Sequence, residues 1–112
     1  MKDYSIVIPL LNEAESLPEL HEWIVKVMTR ENNSYEIWFI NDGSSDNSWE
    51  VIEELKRKDE NVKAVNFQRN YGKSAGLFVG FEKAEAHIIV TMDADLQDSP
   101  EEIPELYRLI NE

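Results

Sequence analysis

At 112 residues the chain is the size of one ordinary domain, and such a chain buries roughly 65% of the surface that its unfolded form exposes. With 42% hydrophobic and 30% charged residues, the composition is that of a globular protein rather than a disordered one. The net charge of -12, from 11 basic and 23 acidic residues, argues against nonspecific nucleic-acid binding, because a basic patch does not form easily. Any anionic ligand would have to be met by a metal ion or by local backbone donors. The absence of cysteine excludes disulfides and thiolate zinc sites and permits a reducing cytoplasm, the expected location. No apolar stretch approaches the ~20 residues that span a bilayer. The apolar run after Met1-Lys2-Asp3-Tyr4 is too short for a signal-peptide core.

Along the chain, four short β-branched runs alternate with four helical patterns. Ser5–Pro9 reads as the first strand, and Leu17, Leu20, Ile24, Val27 and Met28 follow at helical spacing. Glu36–Ile40 reads as the second strand, followed by Trp49, Ile52 and Leu55. Val62–Phe67 is the third, followed by Leu77, Phe78 and Phe81 as the inward face of its helix. His87–Met92 is the fourth, and Ile103, Leu106, Tyr107 and Ile110 mark the last helix. The first, second and fourth runs are nearly continuous in apolar residues, as strands buried on both faces should be. Ser16-Leu-Pro-Glu19 and Ser99-Pro-Glu-Glu102 read as capping boxes with proline in the first turn. The alternation predicts an α/β fold: a Rossmann-like three-layer α/β/α sandwich with a mostly parallel sheet and right-handed crossovers.

The polar clusters nearly all follow strands: Asn12-Glu13, Asn41 to Ser45, Arg69 to Lys73, and Asp93 to Asp98. Open parallel sheets bind ligands beyond the carboxyl ends of their strands, so the four clusters are expected to line one rim.

In an extended segment Asp93 and Asp95 project to the same side, and Gln97 shares their parity if the chain stays extended that far. Two carboxylates 4 Å apart repel by about 4 kcal/mol at an effective dielectric of 20. A divalent cation relieves that repulsion, and oxygen-only ligands suit magnesium or manganese. A solvated acidic turn before a capped helix accounts for the same residues. Gly43 permits a tight turn, and Ser44, Ser45 or Asp46 can cap the next helix. The turn does not require Asp42, whose carboxylate suits the N–H edge of a base. Pro9 is expected to end the first ladder because it lacks an N–H. Glu13 is either a first-turn acid or a nucleoside contact. Gly72 and Lys73 precede a helix whose amides suit phosphate, and Lys73 and Arg69 are the cations close to this rim. His21 and His87 lie outside the rim clusters and read as structural or exposed.

These blocks, taken in order, resemble family 2 glycosyltransferases with the GT-A fold. The resemblance runs from Ser5 to the final helix: Ile-Pro…Asn-Glu, Asn-Asp-Gly-Ser-Ser-Asp, Arg-Asn-Tyr-Gly-Lys, and Asp-Ala-Asp-Leu-Gln-Asp-Ser-Pro-Glu. The last two are especially similar to the polyisoprenyl-phosphate branch, which includes dolichol-phosphate mannosyltransferases and bactoprenol glucosyltransferases. The resemblance implies that Pro9, Asn12, Glu13 and Asp42 contact the nucleoside and that Lys73 lies near the ribose or diphosphate. It also implies that Asp93 contacts the ribose or sugar side and that Asp95 and Gln97 hold Mg2+ or Mn2+. Leu10 stands at the family's usual aromatic after the first proline, which removes a base-stacking contact. Members of the family continue well beyond 112 residues, with an acceptor groove and a general base. This chain is therefore expected to be the donor-binding part of a truncated GT-A domain, residues 1–112.

The implied reaction transfers a sugar, with inversion, from a UDP- or GDP-sugar to a lipid-phosphate or glycan acceptor. The parent protein is expected at the cytoplasmic face of a membrane, and an open sheet edge suggests a homo-oligomer. A nonenzymatic nucleotide- or metal-binding module is one alternative. A sugar-phosphate nucleotidyltransferase is another, although it calls for a glycine-rich basic loop where Leu10 to Ala14 stand. A NAD-dependent dehydrogenase calls for a G-x-G-x-x-G that does not follow the first strand.

Overall fold

The computed structural model describes residues 2–111. Strands β1 (Tyr4–Leu10), β2 (Tyr35–Asn41), β3 (Val62–Asn66) and β4 (Ile88–Thr91) alternate with helices α1 (Leu17–Arg30), α2 (Ser48–Lys58), α3 (Lys73–Lys83) and α4 (Glu102–Asn111). The strands form one parallel sheet in the order β3-β2-β1-β4. The predicted α/β alternation is thus present element for element.

Alternate residues of the parallel strands separate the two faces of the sheet. Tyr4, Ile6, Ile8 and Leu10 of β1, with Ile37 and Phe39 of β2 and Val62 of β3, meet Leu17, Leu20, Ile24, Val27 and Met28 of α1 and Ile52 and Leu55 of α2. Ile103 of α4 joins this core. Burying each of these aliphatic side chains contributes roughly 1.5–3 kcal/mol before chain entropy is counted. The side chains of Leu106, Tyr107 and Ile110 lie outside the described residues.

The other face carries α3, and here the expected packing is reversed. Gly76 and Gly80, one helical turn apart, face the sheet. A Cβ on Gly80 would lie 2.3 Å from Val7 Cγ1, and one on Gly76 would lie 3.1 Å from Pro9 Cβ. The helix therefore approaches so closely that only glycines fit beneath it. Its predicted inward aromatics point outward, with Phe78 63% and Phe81 48% exposed. The expectation that β4 is buried on both faces also fails. It is an edge strand of the described sheet, and Ile89 and Thr91, on the side of α3, are exposed.

Pro9 does not end β1, which pairs with β2 through Leu10 opposite Asn41. The β1–β4 ladder stops at Val7, where the Met92 N–H donates to the Val7 carbonyl. Pro9 shares the parity of Val7, so its missing N–H falls on the side from which β4 has already departed. The first capping box is also rearranged. Ser16 precedes α1 without capping it through its side chain. Its hydroxyl lies 2.5 Å from the Ala94 carbonyl, tying the start of α1 to the acidic loop after β4. Ser99 Oγ accepts the Glu101 N–H at 3.2 Å, in the turn that leads into α4.

Candidate functional site

The chain leaves β1 toward α1 and β2 on one side, whereas β4 is reached on the other side by way of α3. The crevice beyond the carboxyl ends of β1 and β4 is therefore the switch point of this sheet, the place where such folds bind ligands. An open cleft of about 430 Å³ lies there, within the size range of small-molecule sites. Pro9, Leu10, Leu11 and Glu13 line it from β1 and its loop, Asp42 from β2, Asn70, Gly72 and Lys73 from the start of α3, and Asp93, Ala94 and Asp95 from β4. Six of the eight sequence candidates thus converge: Pro9, Glu13, Asp42, Lys73, Asp93 and Asp95.

Asn12 and Gln97 are not part of the cleft wall. Asn12, at φ 56°, turns its side chain to the β2–α2 loop, where Oδ1 accepts the N–H groups of Ser45 at 2.8 Å and Asp46 at 3.2 Å. Gln97 is separated from the cleft by a bend. Leu96 has φ 68°, and the Gln97 N–H donates to Asp95 Oδ1 at 3.1 Å, closing an Asx turn. The segment after Asp93 is therefore not extended, and parity does not carry Gln97 to the side of Asp93 and Asp95. Those two carboxylates reach the same cleft through a turn, with buried Ala94 between them.

The loop that carries Lys73 is held from below by Asp42, which is 5% exposed. Its Oδ1 accepts the Tyr71 N–H at 2.7 Å and its Oδ2 the Gly72 N–H at 3.0 Å. Gly43, at φ 75°, lets the two loops touch, since a Cβ there would lie 2.3 Å from the Arg69 carbonyl carbon. Gly72, at φ 98°, then turns the chain into α3. The helix N-terminus so positioned opens on the cleft, with main-chain donors of the kind that bind phosphate. None of Ser44, Ser45 and Asp46 is the N-cap of α2, which is Asn47; Asp46 lies just before it, its Oδ1 accepting the Ser48 N–H at 2.9 Å and hydroxyl at 2.6 Å.

Lys73 is the one cation among the residues lining the cleft, against four carboxylates. Its Nζ donates to Asp93 Oδ1 at 2.6 Å. That hydrogen bond and the charge of Asp93, with smaller contributions from Asp98 and Asp95, hold its pKa above the usual lysine value. Arg69 has turned away, its guanidinium 5.1 Å from the centre of the Tyr71 ring.

Sequence reasoning missed Asn70 and Leu11. Leu10 is 5% exposed and belongs to the core, while Leu11 is 42% exposed and presents the apolar surface at the cleft mouth. The alternation of Ile6, Ile8 and Leu10 carried that signal.

Comparisons with known proteins agree with this fold. Residues 5–112 match Glycosyl transferase family 2. The chain belongs to this family. It is 45% identical over 103 residues to the undecaprenyl-phosphate 4-deoxy-4-formamido-L-arabinose transferase of Proteus mirabilis, covering 91% of this chain and 32% of that protein. The chain therefore spans about a third of the length of the curated relatives it matches. Residues 1–349 of S. aureus TarS in complex with UDP superpose with a TM-score of 0.73 at 18% identity, covering 97% of this chain and 32% of that one. The Pyrobaculum calidifontis mannosyltransferase PcManGT, in complex with GDP-Man and Mn2+, gives 0.72 at 20% identity, covering 85% and 30%. The fold is that of the GT-A glycosyltransferases. Among the described residues, no helix is long and apolar enough to cross a membrane.

Proposed function

We propose that this chain is the nucleotide-sugar-binding part of an inverting, metal-dependent glycosyltransferase that uses a UDP- or GDP-sugar and a polyisoprenyl phosphate acceptor. The observation that carries this reading is the convergence of Asp93 and Asp95 with Lys73 and the N-terminus of α3 in one cleft at the switch point. The named activity of the Proteus mirabilis relative supports the lipid-phosphate acceptor. The UDP and GDP-Man complexes of structurally similar proteins support the donor class.

In this reading Pro9, Leu11, Glu13 and Asp42 bound the nucleoside pocket. Lys73 and the first amides of α3 meet the diphosphate, and Asp93 faces the ribose or sugar. The donor chemistry fits a hard divalent cation. Two carboxylates on one turn leave room for phosphate oxygens and water, the pattern magnesium favours. No cluster of three or more acidic or histidine ligands occurs among the described residues, so the diphosphate would complete the coordination. Asp95, helped by Asp93, would hold Mg2+ or Mn2+, and Gln97, beyond the bend at Leu96, is left out of the ligand set. When bound, such an ion stabilises the charge that develops on a departing diphosphate. Asp42 fixes the Gly72–Lys73 backbone, so the donors at the start of α3 are in place before the ligand arrives. With Asp98 and the Ser16–Ala94 tie holding the acidic turn, this chain's contribution is to bind and orient the donor.

A thermal-shift panel of UDP, GDP and ADP, each with Mn2+ and with chelator, tests this reading. Ligand at ten times its dissociation constant adds about 1.4 kcal/mol, roughly 5–10 °C for a domain of this size. The expected result is a shift that needs both Mn2+ and either UDP or GDP. Equal shifts with chelator would remove the metal from the reading, and no shift with any nucleotide would overturn donor binding by this chain.

A further inference from the structure

We propose that Lys73 is an exchangeable counter-ion: its ammonium neutralises Asp93 while the cleft is empty of donor, and the diphosphate of an arriving nucleotide draws it off, freeing Asp93 for a divalent cation. This inference rests on the nucleotide-sugar reading of the cleft and adds to it an order of events and a coupling between two ligands.

Three observations support it. First, the Lys73–Asp93 pair is close, at 2.6 Å, yet open to water, with the two side chains 62% and 46% exposed. At those exposures packing does not lock the pair. Second, the two ends of Lys73 are held differently. Its backbone begins α3 directly after Gly72, whose N–H is fixed to Asp42 Oδ2, while its long flexible side chain bears on a single carboxylate. The ammonium can therefore leave Asp93 without any loop movement. Third, the acids of the cleft are unequally neutralised. Among the described residues, Asp95 has no cation within ion-pair distance, whereas Asp93 has Lys73. A metal ion arriving alone finds one of its two carboxylates already taken by a positive charge that also repels it. A nucleotide diphosphate attracts that charge away and brings its own oxygens.

The consequence is reciprocal, because a coupling free energy acts on both ligands equally. Metal should bind weakly without nucleotide, nucleotide weakly without metal, and the two together strongly. Lys73 would be the residue that sets this coupling, in addition to contacting the diphosphate.

The test is Mn2+ binding to the 112-residue chain, read from the electron paramagnetic resonance signal of free aqueous Mn2+, with and without UDP or GDP. It compares wild type, Lys73→Gln and Lys73→Arg. For an exposed ion pair, Lys73→Gln should tighten binding of Mn2+ alone roughly two- to five-fold. It should also reduce the factor by which nucleotide enhances Mn2+ binding. Lys73→Arg, which keeps the charge, should resemble wild type in Mn2+ alone. Unchanged or weaker binding of Mn2+ alone by Lys73→Gln, in a wild type that binds nucleotide with Mn2+, would overturn the exchange and leave the nucleotide reading standing. Tighter Mn2+ binding by Lys73→Gln in a chain that binds no nucleotide would instead overturn the reading beneath it and reduce Lys73 to a fixed competitor of the cation. Lys73 is mostly exposed, so both variants should fold, as circular dichroism would verify.

Discussion

At the amino-terminal ends of the strands, carboxylates are enclosed by donors. Asp59 accepts from His21 Nε2 at 2.8 Å, the Tyr35 hydroxyl at 3.1 Å and the Asn61 N–H at 2.9 Å. Glu36 is met by the Ser5 hydroxyl at 2.5 Å and the Glu85 N–H at 3.0 Å. At the carboxyl ends, Asp93 and Asp95 sit on a turn and face a cleft, open to water, with one flexible lysine paired to Asp93. Both regions are rich in acid, so composition does not separate them. What separates them is whether the chain itself satisfies the acids. A carboxylate whose oxygens are taken up by main-chain and buried side-chain donors joins elements together, while one left open is available to a ligand. Asp42 stands between the two cases, lining the cleft with both of its oxygens already engaged by main-chain amides.

This contrast orders the expected effects on stability. The largest belongs to Gly43→Ala. The substitution combines a positive φ with a Cβ placed 2.3 Å from backbone, so the 69–72 loop must move. A loss of about 3 kcal/mol or more is expected. That corresponds to a melting temperature lower by more than roughly 10 °C in a scanning calorimeter. Asp42→Ala comes next, since it leaves the Tyr71 and Gly72 amides without their acceptor. A loss of roughly 1–3 kcal/mol is expected, with weaker nucleotide binding through the displaced start of α3. If Asp42→Ala weakened nucleotide binding without any loss of stability, Asp42 would be a ligand contact alone and not a support of the loop.

Much of the framework was legible in the sequence. Ile6-Val7-Ile8 and Ile37-Trp38-Phe39-Ile40 read as buried strands because their β-branched and aromatic content allows little else. The four polar clusters then had to share a rim once the strands were parallel. The features that stayed hidden depend on contacts between distant segments. Phe78 and Phe81 appear at helical spacing, but the close approach of Gly76 and Gly80 to Val7 and Pro9 turns them outward. The positive φ of Leu96 breaks the parity that linked Gln97 to Asp95, and a leucine carries no forewarning of it. The main-chain partners of Asp42 are some thirty residues away, so a carboxylate that reads as a base contact also serves as a loop anchor.

The enclosed end makes a pH prediction of smaller size. Burial alone would raise the Asp59 carboxyl, but hydrogen bonds from His21, the Asn61 main chain and Tyr35, with the charge of His21, outweigh it and hold the group below its ordinary value. An acid depressed in the folded state contributes stability that is fully present above its unfolded pKa, near 4, and is lost as pH falls through the folded value. Asp59→Asn should therefore lower stability by about 1 kcal/mol at neutral pH. The gap from wild type should close progressively below about pH 4 in urea denaturation. A gap that stayed constant down to pH 2 would mean that the charge of Asp59 adds nothing to its hydrogen bonds.

The smallest stability effect is expected at Asp95, where it is also the most informative. Asparagine keeps an oxygen that can accept the Gln97 N–H, so the Asx turn survives, and the side chain is exposed enough that losing its charge leaves little uncompensated. Asp95→Asn should therefore unfold within about 0.5 kcal/mol of wild type. Removing a negative charge from an acidic cleft also relieves repulsion, because Asp93 and Asp98 lie on the same turn. The same substitution should abolish the Mn2+-dependent part of the thermal shift with UDP or GDP, since the carboxylate without a lysine partner is the one open to a cation. Stability and binding would then separate at this position, whereas at Asp42 both are expected to fall together, because its oxygens hold the loop that begins α3. A destabilisation of Asp95→Asn comparable to that of Asp42→Ala would show that the acidic turn is held together by its charges and would remove the distinction between the two ends of the sheet.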